Sequence, residues 1–173
     1  MTTRKASPRI DLAPQGSAHS PGVRASLQEA LVDLVELQLQ IAQLSWNGTG
    51  EDWSELRPCL VEAGSRIAAL ACGLAERMLA VGAGVQVGSE VVAARTSLEA
   101  CPRGPIGPAL GREVAETRLV AAAACLRRQH GSIGGHDAAS AGLLMLMARE
   151  LEAMAWRLGQ PRWVWHGGGA HGC

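Results

Sequence analysis

Phenylalanine and tyrosine are absent from this sequence, and its only aromatic side chains are five tryptophans. Strands favour aromatic and β-branched residues, whereas Ala and Leu are strong helix formers. A core without Phe and Tyr must be built mainly from Leu, Ala, Val and Met. The composition therefore favours an all-helical domain.

An excess of charge of either sign is also missing. The sequence has 16 Lys and Arg against 16 Asp and Glu, so its formal net charge is zero. This balance argues against a globally basic nucleic-acid binder. Apolar residues make up 47% of the chain and charged residues 18%, which excludes wholesale disorder. A length of 173 residues suffices for one domain with a proper core.

Motifs for disulfide frameworks, zinc ribbons, secretion and membrane spans are not visible either. The five cysteines are odd in number and none stands as Cys-x-x-Cys. The first twenty residues contain no apolar stretch typical of a signal peptide. The longest unbroken apolar run, Leu119–Leu126, is far shorter than the ~18 residues of a membrane span. We expect a reduced, cytoplasmic protein with no membrane partner.

The N-terminal segment, residues 1–24, differs in composition from the rest of the chain. It holds three of the eight prolines, and Arg4, Lys5, Arg9 and Arg24 against Asp11 leave it with a net charge of +3. These features predict a disordered basic tail. The tail either contacts DNA or is a solvated leader without a partner.

The C-terminal segment, residues 161–173, is rich in glycine and tryptophan. His166, His171 and Cys173 offer imidazole and thiol groups that could bind Zn, Cu or Ni. The alternative is a loose tail without a metal. His130 and His136 are predicted to lie in an exposed loop near Gly131–Gly135.

Residues 25–160 carry the apolar periodicity of a helical domain. The pattern predicts four long helices near 26–46, 51–81, 109–129 and 137–159, and a short helix near 89–99. Ser26 followed by Glu29 indicates an N-terminal capping box, and Asp137 or Ser140 can cap the last helix. The long connection with its own helix favours an all-α, ferritin-like four-helix bundle over a simple up-down bundle.

Three segments of this domain resemble the Dps family. They are LVDLVELQLQIAQLSWNGTG (31–50), LAERMLAVGA (74–83) and ARELEAMAWRLGQ (148–160), and VVAARTSLEA (91–100) is similar to that family's crossover helix. Their most specific parts are Trp-Asn and Ala-Glu-Arg. The resemblance implies a ferritin-like cage of twelve subunits that stores iron and shields DNA in starved or oxidatively stressed bacteria.

The resemblance also implies where an iron-oxidising site would lie. Two His of one subunit and an Asp and a Glu of its two-fold mate form the ferroxidase site of the family. The matching positions here hold Ser45, Arg57, Cys72 and Glu76, so one ligand of four is kept. Ferrous iron prefers His and carboxylate ligands, and an arginine cannot be deprotonated to become one. Glu76 is then either a metal ligand or a surface carboxylate paired with Arg77 or Arg57.

Further roles follow from the same resemblance, each with a simpler alternative. Trp46 would lie beside the iron site, or it could be core or interface. Asp137 would belong to an acidic entry pore, although Gly142 occupies the position where the family has the next acidic residue. Alternatively, Asp137 is only a helix cap. Cys72 is most economically a small buried hydrophobe. Arg57 is expected to pair with Glu76 of the two-fold mate, in place of the metal.

The sequence therefore predicts a Dps-like homo-oligomer, of twelve subunits, that protects by DNA binding, iron sequestration or both. Little or no ferroxidase activity of its own is expected, iron being the one cofactor that the resemblance leaves open. The sequence does not decide whether the chain is an enzyme. One alternative is a ferroxidase that works through a compensating site or a co-assembled Dps paralogue. Another is a helical interaction module that forms no cage. The expected location is the cytoplasm, with association to the nucleoid through non-specific DNA binding.

Overall fold

A computed structural model describes residues 20–160, and these residues fold into five α-helices. The helices are α1 (Pro21–Asn47), α2 (Trp53–Ala80), α3 (Ser89–Arg95), α4 (Pro108–Ile133) and α5 (Ala138–Gly159), with a single 3₁₀ turn at Gly134–His136. No named strand occurs in this part of the chain. The predicted all-α fold with a helix in the long crossover is confirmed.

The four long helices enclose one apolar core. α1 packs on α2 and α4, and α5 packs on α4 and α2, which closes the bundle. The core side chains recur at helical spacing along each helix. The largest fully buried ones include Leu27, Leu34, Ile41, Leu60, Ile67 and Leu74. By length and composition alone α2 could cross a membrane, but a core helix of a soluble protein meets the same criteria.

Two predicted boundaries of the long helices are wrong. α1 begins at Pro21 rather than at residue 26, because Ser20 caps it and a proline at the first helical position fits the helix. Ser26 is instead a buried residue within α1. α4 continues to Ile133, four residues beyond the predicted end, since that side chain is buried and anchors the last turn. Gly134 then ends the helix with a φ of 47°, a conformation that favours glycine.

The crossover between α2 and α4 lies along α1 and is held there by buried polar side chains. Asp33 accepts hydrogen bonds from the Thr96 hydroxyl and from the amide and hydroxyl of Ser97, at 2.9, 2.7 and 2.5 Å. These bonds account for the end of α3 at Arg95, before the predicted residue 99. At the far end, Ile106 exchanges backbone hydrogen bonds with Asn47 and Thr49.

Candidate metal centre and the exposed face of α2

Three of the four positions that the family resemblance assigns to ferroxidase ligands lie on one exposed face of α2. Arg57, Cys72 and Glu76 are all exposed, and at 3.6 residues per turn they fall within roughly a third of the helix circumference. Cys72 is a free thiol. Its prediction as a buried hydrophobe is wrong, because the Ala-rich face on which it lies points away from the core.

Ser45, the fourth position, is in a different environment. Its side chain is buried in α1, where the hydroxyl donates a hydrogen bond of 2.8 Å to the carbonyl oxygen of Ala42. The neighbouring Trp46 is 76% exposed, so the prediction of Trp46 as a core residue is wrong. Its role at an interface or beside an iron site remains a prediction.

The side chains at these positions do not fit iron. A guanidinium would repel a dication, and the Ser45 hydroxyl is already used within its own helix. Residues 20–160 contain no group of three or more His, Cys, Asp or Glu side chains that could hold a metal ion.

Glu76 does not pair with Arg77, contrary to one of the sequence-based alternatives. Arg77 turns to the start of α5, where its guanidinium contacts both carboxylate oxygens of Asp137 at 2.8 and 2.9 Å. Its Nε donates to the Ser140 hydroxyl at 2.8 Å. Among residues 20–160, neither Arg57 nor Glu76 takes part in an ion pair within its own subunit.

Asp137 is the cap of α5, as one of its two predicted roles required. Its carboxylate accepts from the Ser140 amide at 3.1 Å and from the Ser140 hydroxyl at 2.5 Å, and the side chain is 4% exposed. Burial acts to raise the pKa of Asp137, but the hydrogen bonds from Ser140 and Arg77 outweigh it and lower the pKa from 3.8 to about 2. A buried carboxylate that is neutralised by Arg77 contributes little to an acidic pore.

Replacing Asp137 with Asn is expected to cost about 2 kcal/mol of stability at pH 7. The lowered pKa means that the carboxylate stabilises the fold above its unfolded pKa of 3.8 and loses this effect as the pH falls toward 2. Urea unfolding of Asp137→Asn and wild type should therefore give free energies that converge between pH 5 and pH 2. The exposed Glu113, changed to Gln, is a control that should show no such convergence. A constant Asp137→Asn deficit would contradict this account.

Of the remaining residues singled out from the sequence, two histidines lie in the described part of the chain and the others lie outside it. His136 is exposed in the 3₁₀ turn, as predicted. His130 is not in a loop but in α4, where its Nδ1 lies 3.0 Å from the carbonyl oxygen of Ala141. Outside the described residues lie Arg4, Lys5, Arg9, His166, His171 and Cys173.

Sequence reasoning missed the polar residues of α1 that hold the crossover. Besides Asp33, the Gln28 side chain exchanges two hydrogen bonds with the backbone of Gln86, and Gln40 donates to the Glu99 carbonyl oxygen at 3.0 Å. The signal was a set of polar residues on one side of a largely apolar helix. Such residues are expected to be buried only when they have hydrogen-bond partners.

A four-helix bundle whose second and third long helices are joined by a helical crossover defines a ferritin-like protein. Comparison with known proteins shows which ferritin-like proteins the chain resembles. "DNA protection during starvation protein 2" of Deinococcus radiodurans is 27% identical over 133 residues, which cover 77% of this chain and 55% of that protein. The chain thus spans about half the length of this curated relative. No protein-family profile matches the chain.

Solved structures give the same result. Dps92 from Deinococcus radiodurans superposes with a TM-score of 0.76 at 26% identity, covering 79% of this chain and 83% of that one. Dps from Microbacterium arborescens, in its high-iron form, shares the fold with a TM-score of 0.74 at 20% identity, covering 83% and 96% of the two chains. In sequence and in fold, the chain is therefore similar to Dps proteins.

Proposed function

We propose that this protein is the subunit of a Dps-like cage of twelve copies that protects the cell under stress, with little or no ferroxidase activity of its own. Protection would come from non-specific DNA binding, from iron sequestration or from both, in the cytoplasm and at the nucleoid. The observation that supports the proposal is the Dps-type bundle, together with Ser45, Arg57 and Cys72 at three of the four positions that the family resemblance assigns to ferroxidase ligands.

Exposed apolar side chains on α1 and α2 support a homo-oligomer. Leu39, Trp46, Val61 and Leu79 are 58%, 76%, 51% and 60% exposed, and all four lie on these two helices. Apolar patches of this kind on a soluble protein usually mark surfaces that a partner covers. A second copy of the same chain is the occupant that an isologous interface would supply.

Negative-stain imaging and native mass spectrometry of the full-length protein test the assembly. The proposal requires hollow particles of uniform size with the mass of twelve subunits. A stable monomer or dimer would overturn it in favour of the helical interaction module. Ferrous oxidation that arises only after mixing with a Dps paralogue would instead support the co-assembled ferroxidase.

The basic N-terminal tail is expected to carry DNA binding at moderate salt. Twelve tails on one particle act multivalently, and each phosphate contact releases counterions, so binding should fall steeply as salt rises. Deletion of residues 1–19 should abolish the retardation of plasmid DNA in a gel. The deletion stops before Ser20 because that residue caps α1, and a longer cut would remove the buried Val23.

A full-length variant separates tail charge from tail length. Arg4, Lys5 and Arg9 changed together to Gln should weaken retardation nearly as much as the deletion. Unchanged retardation by the truncated protein would show that the tail is only a leader. The same conclusion would follow if full-length particles failed to retard DNA even in low salt.

A further inference from the structure

A shallow cavity of about 420 Å³, open to solvent, lies where the start of α1 meets the end of α2 and the beginning of the crossover. It is separate from the ligand positions discussed above. Six of its lining residues carry the argument: Arg24, Gln28, Met78, Gly84, Gln86 and Arg95. The lining includes two arginines and neither an acidic nor an aromatic side chain.

The two arginines provide free hydrogen-bond donors for an anion. Arg95 contacts Glu29 through one terminal nitrogen at 2.5 Å, and its other guanidinium nitrogens make no hydrogen bond within residues 20–160. Arg24 is half-buried and forms no ion pair with that part of the chain. A guanidinium matches the planar, bidentate geometry of phosphate oxygens.

The position of Arg24 conflicts with the electrostatics of its own helix. It is the fourth residue of α1, and the first turn of that helix contains no acidic residue. A cation near a helix N-terminus is unfavourable because that end carries the positive pole of the helix dipole. Such a local conflict is expected where a residue serves binding rather than stability. A bound anion would relieve it.

The wall opposite α1 is fixed and open. Gln28 donates a hydrogen bond to the Gln86 carbonyl oxygen at 2.6 Å and accepts one from the Gln86 amide at 3.2 Å, which holds the crossover in place. The Gly84 amide donates no hydrogen bond within the described residues, and a Cβ at this glycine would meet no atom within 4 Å. Binding therefore requires little ordering of this wall.

We propose that this cavity binds phosphate groups, either as free phosphate or as the backbone of DNA. The lack of an aromatic lining residue leaves no surface on which a base could stack, so the phosphate itself is what would be recognised. The binding of free phosphate is independent of the proposed function, whereas the DNA form rests on it.

Two measurements on the full-length protein test whether the cavity binds phosphate. They are thermal unfolding and calorimetric titration with sodium phosphate, each compared with sodium chloride at equal ionic strength. Phosphate should raise the Tm of wild type, and Arg24→Gln should weaken phosphate binding about tenfold. Gly84→Glu should abolish binding by placing a carboxylate in open space. Gly84→Ala, which adds bulk without charge, should bind like wild type.

Arg103→Gln is the matched control for loss of one positive charge. Arg103 is exposed, and it follows Pro102, whose carbonyl oxygen accepts from Gln43. Gln43 lies 19 residues further along α1 than Arg24, which is roughly 28 Å away on a helix. This variant should keep the phosphate response of wild type. Equal phosphate affinity in Arg24→Gln and wild type would overturn the proposed phosphate site. So would a wild-type response to phosphate that is no larger than the response to chloride.

Gel retardation of a DNA duplex by the same full-length variants identifies the source of the phosphate. If DNA is the source, Arg24→Gln should lower the salt dependence of binding relative to Arg103→Gln. If Arg24→Gln loses the phosphate response but keeps the DNA binding of wild type, the cavity binds free phosphate and not DNA. DNA binding without any phosphate response in wild type would refute the pocket while leaving the basic tail, and the proposed function, intact.

Discussion

The wild-type protein is expected to leave ferrous oxidation by dioxygen or peroxide at the rate measured in buffer, and to build no ferric core. Iron binding needs imidazole and carboxylate ligands, and three of the four matching positions carry a buried hydroxyl, a guanidinium and a thiol. Glu76 alone supplies too few ligands to hold a dication. The measurement is the absorbance of ferric product after anaerobic loading with ferrous iron and addition of oxidant.

The converse experiment installs the missing ligands. Ser45→His, Arg57→His and Cys72→Asp, combined in one chain that keeps Glu76, should raise ferrous-ion affinity by at least about tenfold over wild type, the scale on which single site residues change metal affinity. The oxidation rate should then rise above the buffer rate. Such a gain would show that the alignment of these four positions is correct.

The control for this experiment changes the same three positions to Asn, which adds polar side chains of similar size without strong ligands. The buried position of Ser45 makes this control necessary, because a larger side chain there requires repacking of α1. Circular dichroism and particle mass should confirm that both triple variants fold and assemble. Equal iron affinity in the two assembled variants, or rapid oxidation by wild type, would be incompatible with a degenerate ferroxidase site.

The helices of the bundle could be predicted from sequence because their determinants are local. Apolar residues recur every three to four positions, and the sequence Gly159-Gln160-Pro161 marks the end of the last helix. The start of α1 was misplaced because Ser20-Pro21 resembles the Pro-rich tail before it. In fact the proline fits the first turn, and the buried Val23 already belongs to the core.

The candidate site was less predictable because exposure depends on which helix faces pack together. Cys72 was predicted to be buried, yet the structure exposes it and instead buries the polar Ser45. The partner of Arg77 is Asp137, 60 residues further along the chain, and no local pattern connects them. Ion pairs between residues this far apart in sequence depend on tertiary contacts, which helix propensity and apolar periodicity do not predict.

Arg57 and Glu76 are expected to form a salt bridge between two subunits. They lie 19 residues apart on α2, a rise of roughly 28 Å along a helix, so they cannot meet within one chain. If α2 packs antiparallel against its copy across a two-fold axis, pairing Arg57 with the partner's Glu76 also opposes Val61 to Cys72 and Gly64 to Ala69. The residues nearest the axis would then be small, which allows two helices to approach closely.

Removing one member of this pair should weaken the dimer more than removing both. Arg57→Ala would leave Glu76 buried without a counter-charge, at a cost of several kcal/mol. Arg57→Ala combined with Glu76→Gln should recover much of the loss, and exchanging the charges with Arg57→Glu and Glu76→Arg should recover more. Sedimentation equilibrium of the single, double and exchanged variants measures the dimer constant directly.

The matched control is Arg66→Ala, which removes an exposed arginine of the same helix. Arg66 already pairs with Glu62 and Glu150 of its own subunit, at 3.1 and 3.6 Å, so its loss should change the dimer constant by less than about 1 kcal/mol. Additive effects of Arg57→Ala and Glu76→Gln would show that the two side chains do not interact. A dimer structure with the Arg57 guanidinium in solvent would lead to the same rejection. Non-additive effects, together with recovery by the exchanged pair, would show that an arginine now supplies the positive charge that a metal provides in ferroxidase centres.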